Sequence, residues 1–207
     1  MIKNVVFDVG MVLVDFRWRE LMEDLGLPKE LQEVFGTKVF GSRWWKEYDL
    51  GVMSEDDIIA HLKEDNKEHI DEFNLVWQHL DELVAPYDYA VPWIKELKER
   101  GYKVYILSNW SEPTYLACKD NELDFLPLVD GVVFSFEEKM IKPDIRIFER
   151  LSQRDDIELI TLPEETRKDI ANIKTAGSSL IDIINNILDI SKIENGKENL
   201  NECEYSI

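Results

Sequence analysis

Apolar residues run from Val5 to Phe7 and resume at Val12-Leu13, with one carboxylate, Asp8, and one glycine, Gly10, set between them. A run of β-favouring residues that ends on a single acid is how a buried strand brings a side chain to the carboxyl edge of a parallel sheet. The same pattern would also serve an edge strand that merely opens a turn. It returns twice further on. Tyr102-Lys103-Val104-Tyr105-Ile106-Leu107 reads as a strand ending on Ser108-Asn109, and Gly131-Val132-Val133-Phe134-Ser135 as another. The second leads to Lys142-Pro143 and a helix through Ile147 and Leu151. Ahead of the middle strand, Val91 to Arg100 reads as a helix with Pro92 in its first turn, Ile94 and Leu97 on one face, and Gly101 as its stop. Three strand ends carrying polar groups would converge on one rim if the strands are parallel neighbours.

Between these zones the period changes. Residues 16–90 are helical in pattern and contain no convincing strand. Ser54-Glu55-Asp56-Asp57 looks like a helix start, with Ser54 as the cap and Asp57 able to reach back to it. Ile58, Ile59 and Leu62 supply the apolar face that follows. Pro28 suits the first turn of another helix, through Leu31 and Val34. From about Leu159 the character changes again. Ile173, Ala176, Leu180, Ile183, Ile187 and Ile190 recur at alternating spacings of three and four, a heptad seam widened by Ile184 and Leu188. A helix over 163–197 would be about 50 Å long at ~1.5 Å per residue. It could pack on the sheet or wait for a partner helix.

Composition narrows what such a chain can do. At 207 residues it holds one sizeable core, with room for an insertion. A net charge of -19 sets it against nucleic acid and anionic membrane, whose phosphates it would repel. There is no signal-peptide layout and no apolar stretch near ~20 residues, so no span is expected. Cys118 and Cys203 stand apart with no metal-ligand or disulfide spacing, and a reduced, cytoplasmic setting is the expectation.

Asp8, Ser108 and Lys142 make sense as one set. A carboxylate can attack phosphorus and form an aspartyl phosphate, dividing one hard displacement into two easier ones. A hydroxyl and backbone N–H groups can hold the phosphoryl oxygens, while an ammonium neutralises charge on the nucleophile and the transferring group. A hard divalent cation, Mg²⁺, would bridge Asp8 and the phosphate, and the Gly10 carbonyl could be offered to it. Taken singly, Ser108 could instead cap the helix starting near Ser111, and Lys142 could be an ordinary solvated lysine. Their order and spacing set them apart.

On these residues the chain resembles the haloacid dehalogenase superfamily, in particular its small phosphatase-like members with a helical cap. Phe7-Asp8-Val9-Gly10-Met11-Val12-Leu13 matches the first motif, Ile106-Leu107-Ser108-Asn109 the second, and Ile141-Lys142-Pro143-Asp144 the third. The resemblance implies an α/β fold: a Rossmann-like core with a parallel sheet over 1–15 and 90–158, and a helical cap over 16–89 that closes on the substrate. It implies Asp8 as nucleophile and Ser108, Asn109 and Lys142 as the substrate-binding set. Mg²⁺ would sit on Asp8 and Gly10, and the substrate would be a small phosphorylated metabolite. Arg43, Trp44 and Trp45 are candidates to line the cap. Two departures stand out. Many members carry a second aspartate where this chain has Gly10, which removes the usual general acid. The fourth motif, a strand ending in metal-binding aspartates some twenty residues past the lysine, has no counterpart. Asp155-Asp156 follows Ser152-Gln153-Arg154 rather than an apolar strand, and comes too soon.

Residues 164–207 resemble something else. Ile170 to Leu180 and Ile184 to Glu194 are similar to the second helix of the dimerisation and phosphotransfer hairpin of a sensor histidine kinase. The first helix and its histidine are absent, since His61, His69 and His79 all lie in the cap, and the ATP-binding domain is absent too. Two functional expectations follow. One is an impaired Mg²⁺-dependent phosphatase working through Asp8. The other is a non-catalytic fusion, a phosphatase-like domain joined to a kinase-like segment at 159–207, whose long amphipathic C-terminal helix forms a homodimer.

Overall fold

Val5, Val6 and Phe7 form β1 (Asn4–Phe7), and it pairs in parallel with a strand about a hundred residues away, so the intervening chain must cross over. The computed structural model describes residues 3–154. After β1 come β2 (Val14–Phe16), α1 (Trp18–Asp24), α2 (Lys29–Phe35), α3 (Arg43–Leu50), α4 (Glu55–Asp65), α5 (Ile70–Trp77) and β3 (Val84–Pro86). Then follow α6 (Ala90–Glu99), β4 (Lys103–Ser108), α7 (Glu112–Cys118), β5 (Gly131–Phe134), α8 (Ser135–Glu138) and α9 (Ile145–Arg154). The parallel sheet has the order β1-β4-β5. Its register sets Phe7 beside Ile106 and Ser108 beside Phe134, so all three carboxyl ends lie at one rim.

β4 is apolar on both faces because it is covered on both. Val104 and Ile106 pack with Phe7, Ile94 and Phe134; Tyr105 and Leu107 pack with Val133, Ile147 and Leu151. Helices α6 and α9 thus cover opposite faces, as the spacing of Ile94 and of Ile147 and Leu151 predicts. Gly101, at φ +85°, ends α6 in the left-handed turn expected of it. The cap has its own core, with Leu21, Met22, Phe35, Ile58, Leu62 and Phe73 buried together. At its head the Ser54 hydroxyl accepts from the Asp57 N–H at 3.2 Å. The Asp57 carboxylate turns back to that hydroxyl, at 2.6 Å, rather than to the backbone.

One expectation needs correcting. The segment read as strandless contains β3, which pairs antiparallel with β2 and sets Val14 beside Pro86 and Phe16 beside Val84. Hydrogen bonds from Tyr87 N–H to the Leu13 carbonyl and from Arg17 N–H to the Leu83 carbonyl extend this ribbon at both ends. It forms the neck through which the chain enters and leaves the cap. Three residues ending in proline give too short a pattern to declare a strand, and Pro86 is tolerated because the ribbon is only two strands wide. The long C-terminal helix expected over 163–197 lies outside the described residues.

Candidate active site

The tight turn after β1 begins at Val9, whose carbonyl accepts from the N–H groups of Leu13 and Val14 at 2.8 and 3.1 Å. Val9 and Leu13 are fully buried and anchor the turn, while the side chain of Asp8, just ahead of Val9, keeps 43% of its surface. Asp8 Oδ1 accepts from the Val9 N–H and from the Ser108 hydroxyl, both at 2.8 Å. Asp8 Oδ2 lies 2.7 Å from Lys142 Nζ. Ser108 therefore does not cap α7, which begins after Ser111. The three residues singled out in the sequence meet at one carboxylate.

Lys142 is held from several sides. Its ammonium also donates to the Leu107 carbonyl at 3.0 Å. The Asn109 Oδ1 accepts from the Lys142 N–H at 2.7 Å, and Asn109 Nδ2 donates to the Lys142 carbonyl at 3.2 Å. Asn109 also lines the cavity beside the site, but its amide is committed to the lysine's main chain. Its contribution to the site is thus first of all to position Lys142.

The sequence assigns Gly10 the part of offering its carbonyl to the cation. A Cβ there would meet nothing within 4 Å, so packing does not demand a glycine. The left-handed residue of the turn is Met11, at φ 60° and 65% exposed. The Gly10 carbonyl accepts no hydrogen bond among the described residues, so it is available to an electrophile. Together with the Asp8 carboxylate it makes two oxygen donors. Mg²⁺ takes one or two carboxylates from a protein and completes its shell with water and substrate phosphate, so this set fits the ion at the low end. No cluster of three or more His, Cys, Asp or Glu side chains suited to a metal occurs among the described residues.

A cavity of about 190 Å³ opens beside the rim, between core and cap. The core contributes Gly10, Met11, Asn109 and Trp110; the cap side contributes Trp45 and Asp49, with Phe16 at the neck. Drug-sized ligand sites run to roughly 300–1,000 Å³, so this one suits a small molecule. Of the three cap candidates named from sequence, only Trp45 lines this cavity. Trp44 instead stacks on His61 with ring centroids 3.8 Å apart and donates its indole N–H to Asp65 at 2.8 Å. Arg43 lies over the Trp44 ring at 4.0 Å. Both belong to the cap's own packing.

Asp49 is the residue that sequence reading missed. Burial pushes its carboxyl up to about 7. No sequence signal marks it among 43 acidic residues, because what distinguishes it is where α3 docks. The Ser135 hydroxyl at the end of β5 donates to the Asp49 carbonyl at 2.5 Å and accepts from the Trp110 N–H at 2.9 Å. Lys139 donates to the Gly51 carbonyl two residues on. Beside it, the Tyr48 hydroxyl donates to Glu55 at 2.7 Å, and burial foremost, then Glu55, holds that phenol well above its ordinary range.

The family model for haloacid dehalogenase-like hydrolases matches residues 2–159. No curated protein matches the chain. Among solved structures, the fold is similar to a HAD-family enzyme of Bacteroides thetaiotaomicron crystallised with magnesium and inorganic phosphate. The two are 20% identical over 76% of this chain and 80% of that one, with a TM-score of 0.55. It is also similar to the L-2-haloacid dehalogenase of Xanthobacter autotrophicus, solved with chloropropionic acid covalently bound. That pair is 18% identical over 76% and 66% of the respective chains, with a TM-score of 0.54.

Proposed function

The chain belongs to the haloacid dehalogenase-like hydrolases, and on that premise we propose that it is a phosphatase of small phosphorylated metabolites working through an aspartyl phosphate on Asp8. The observation that carries this reading is the single carboxylate on which Ser108, Lys142 and the Val9 N–H converge. Those bonds fix the carboxylate's rotamer and leave it facing solvent at the sheet rim, so that it can meet phosphorus without reorganising. In the first step an Asp8 oxygen forms a bond to phosphorus as the bond to the leaving oxygen breaks. The Lys142 ammonium offsets the charge that gathers on both partners, and the Ser108 hydroxyl can turn from Asp8 to a phosphoryl oxygen. In the second step water attacks phosphorus and Asp8 is released as a carboxylate. Mg²⁺ would be held by Asp8 and the Gly10 carbonyl, and when bound it adds positive charge against the phosphoryl oxygens.

Hydrolysis of 4-nitrophenyl phosphate in the presence of Mg²⁺ tests the reading. Asp8→Asn should lose all measurable turnover, and equal rates for parent and variant would exclude Asp8 as nucleophile.

The seam of Ile173, Leu180, Ile183 and Ile187 supports a second reading, in which residues 159–207 pair two copies of the chain through a kinase-like helix. It rests on sequence alone. A monomer by light scattering of the full chain would overturn it. The expectation of a cytoplasmic setting stays with this reading; among the described residues, no helix is long and apolar enough to cross a membrane.

A further inference from the structure

Transfer of a phosphoryl group from an alcohol requires a proton for the departing oxygen, and position 10 carries no side chain to supply one. Among the described residues that line the cavity, the carboxyl group belongs to the cap. Asp49 and Gly10 line the same small space, together with Asn109, which directly follows Ser108. The Asp49 side chain makes no hydrogen bond or ion pair among the described residues, although its neighbours Tyr48 and Glu55 are bonded to each other. Its main chain, by contrast, is fastened. The bond from Ser135 to the Asp49 carbonyl ties it to the end of β5, and the bond from Lys139 to the Gly51 carbonyl ties the next turn. A carboxyl without a structural partner, on a backbone pinned to the catalytic rim, has the arrangement of a group kept for a reactant.

We propose that Asp49 is the catalytic residue that protonates the leaving-group oxygen, taking from the cap the role that an acid at position 10 would otherwise fill. The inference rests on the reading of Asp8 as a phosphoryl-accepting nucleophile. As the Asp8–phosphorus bond forms and the ester bond breaks, the electron pair of that bond goes to the departing oxygen. That oxygen takes the Asp49 proton and leaves as an alcohol. Asp49, now a carboxylate, accepts a proton from the water that attacks the aspartyl phosphate. Hydrogen phosphate departs, Asp8 returns as a carboxylate and Asp49 as an acid. Atoms and charge balance over the two steps. Burial, which keeps Asp49 protonated up to about pH 7, supplies the proton in the right form at the start.

The test compares two substrates on the full chain with Mg²⁺: 4-nitrophenyl phosphate, whose leaving group departs as an anion, and glycerol 1-phosphate, whose alkoxide must be protonated. Asp49→Asn should lower kcat/KM for glycerol 1-phosphate by about 10²–10⁴-fold, against less than about tenfold for the aryl ester. Asp49→Glu should recover part of the difference. Equal losses on both substrates, or no loss on either, overturn the proposal while leaving Asp8 in place. Should the parent hydrolyse neither substrate, or Asp8→Asn match the parent, the phosphatase reading falls and Asp49 falls with it. A series of aryl and alkyl phosphates on the parent needs no variant at all. A shallow dependence of kcat/KM on leaving-group pKa supports the proposal, and a steep one overturns it.

Discussion

Asn109 grips Lys142 by both ends of its peptide, accepting from its N–H at 2.7 Å and donating to its carbonyl at 3.2 Å. The side chain that follows the serine motif thus fixes the loop that delivers the lysine, and the lysine in turn reaches Asp8 at 2.7 Å. Asn109→Ala removes both bonds and lets that loop drift. Because a displacement of about 1 Å at a reacting group can cost ~10²-fold, kcat on an aryl phosphate should fall about 10–100-fold. Asn109→Asp keeps the acceptor and loses the donor, so it should fall less. Steady-state kinetics on the two variants checks the order; a larger loss for Asn109→Asp would show that the amide instead contacts substrate.

Ser135 closes the junction between cap and core. Its hydroxyl is fully buried and serves both the Asp49 carbonyl and the Trp110 N–H. Ser135→Ala leaves that N–H and that carbonyl without their partner in a dry site. The cost should be about 1–3 kcal/mol of unfolding free energy, read from urea denaturation. If Asp49 depends on this anchor, the same variant should also lose more activity on an alkyl phosphate than on an aryl one.

The sheet, its order of use along the chain and the trio at its rim were legible because each is written locally. A short apolar run and the polar residue after it suffice to name Asp8 and Ser108, and the lysine before Pro143 follows the third strand at a short distance. The neck ribbon was not legible, since β3 is three residues long and is held by pairing with β2 rather than by its own pattern. Trp44 and Trp45 are adjacent in sequence and look alike, yet one stacks on His61 inside the cap and the other faces the cavity. Only the phase of α3 against its neighbours separates them. Asp49 shares that phase problem. Its chemistry comes from burial against another part of the chain, which no local window of sequence contains.

That burial also makes stability depend on pH. An unfolded aspartate titrates near 3.8, and the folded Asp49 near 7, so between these values the native state binds the extra proton. Stability from this group is therefore fully present below about pH 4, falls as pH rises, and levels off above about pH 7. Asp49→Asn removes the dependence. Asp49 is half-buried, so solvent screening reduces the full electrostatic cost, leaving a gain for the variant of about 1–3 kcal/mol at pH 8 and little at pH 4. Thermal melting of both proteins at these two pH values measures it; a melting difference that does not change with pH would mean that the Asp49 carboxyl is not buried as described.

Gly10 offers the sharpest test of how the proton reaches the leaving group. A Cβ at this position meets nothing within 4 Å, and the residue does not need a positive φ, so Gly10→Asp should fold with a melting temperature close to the parent's. The new carboxyl would project into the cavity shared with Asp49, at the place where many relatives by motif carry their acid. In the parent background its effect on an aryl phosphate should be small, because nitrophenolate leaves without a proton. In the Asp49→Asn background it should restore turnover of glycerol 1-phosphate by at least about tenfold, a fraction of the ~10²–10⁴ that general acids contribute. Two carboxyls able to replace one another across one cavity would mean that the reaction needs a proton at that point and is indifferent to which element carries it. If the double variant stays as slow as Asp49→Asn alone while remaining folded, the loss in Asp49→Asn does not come from a missing acid, and the cap residue must act instead by shaping the cavity.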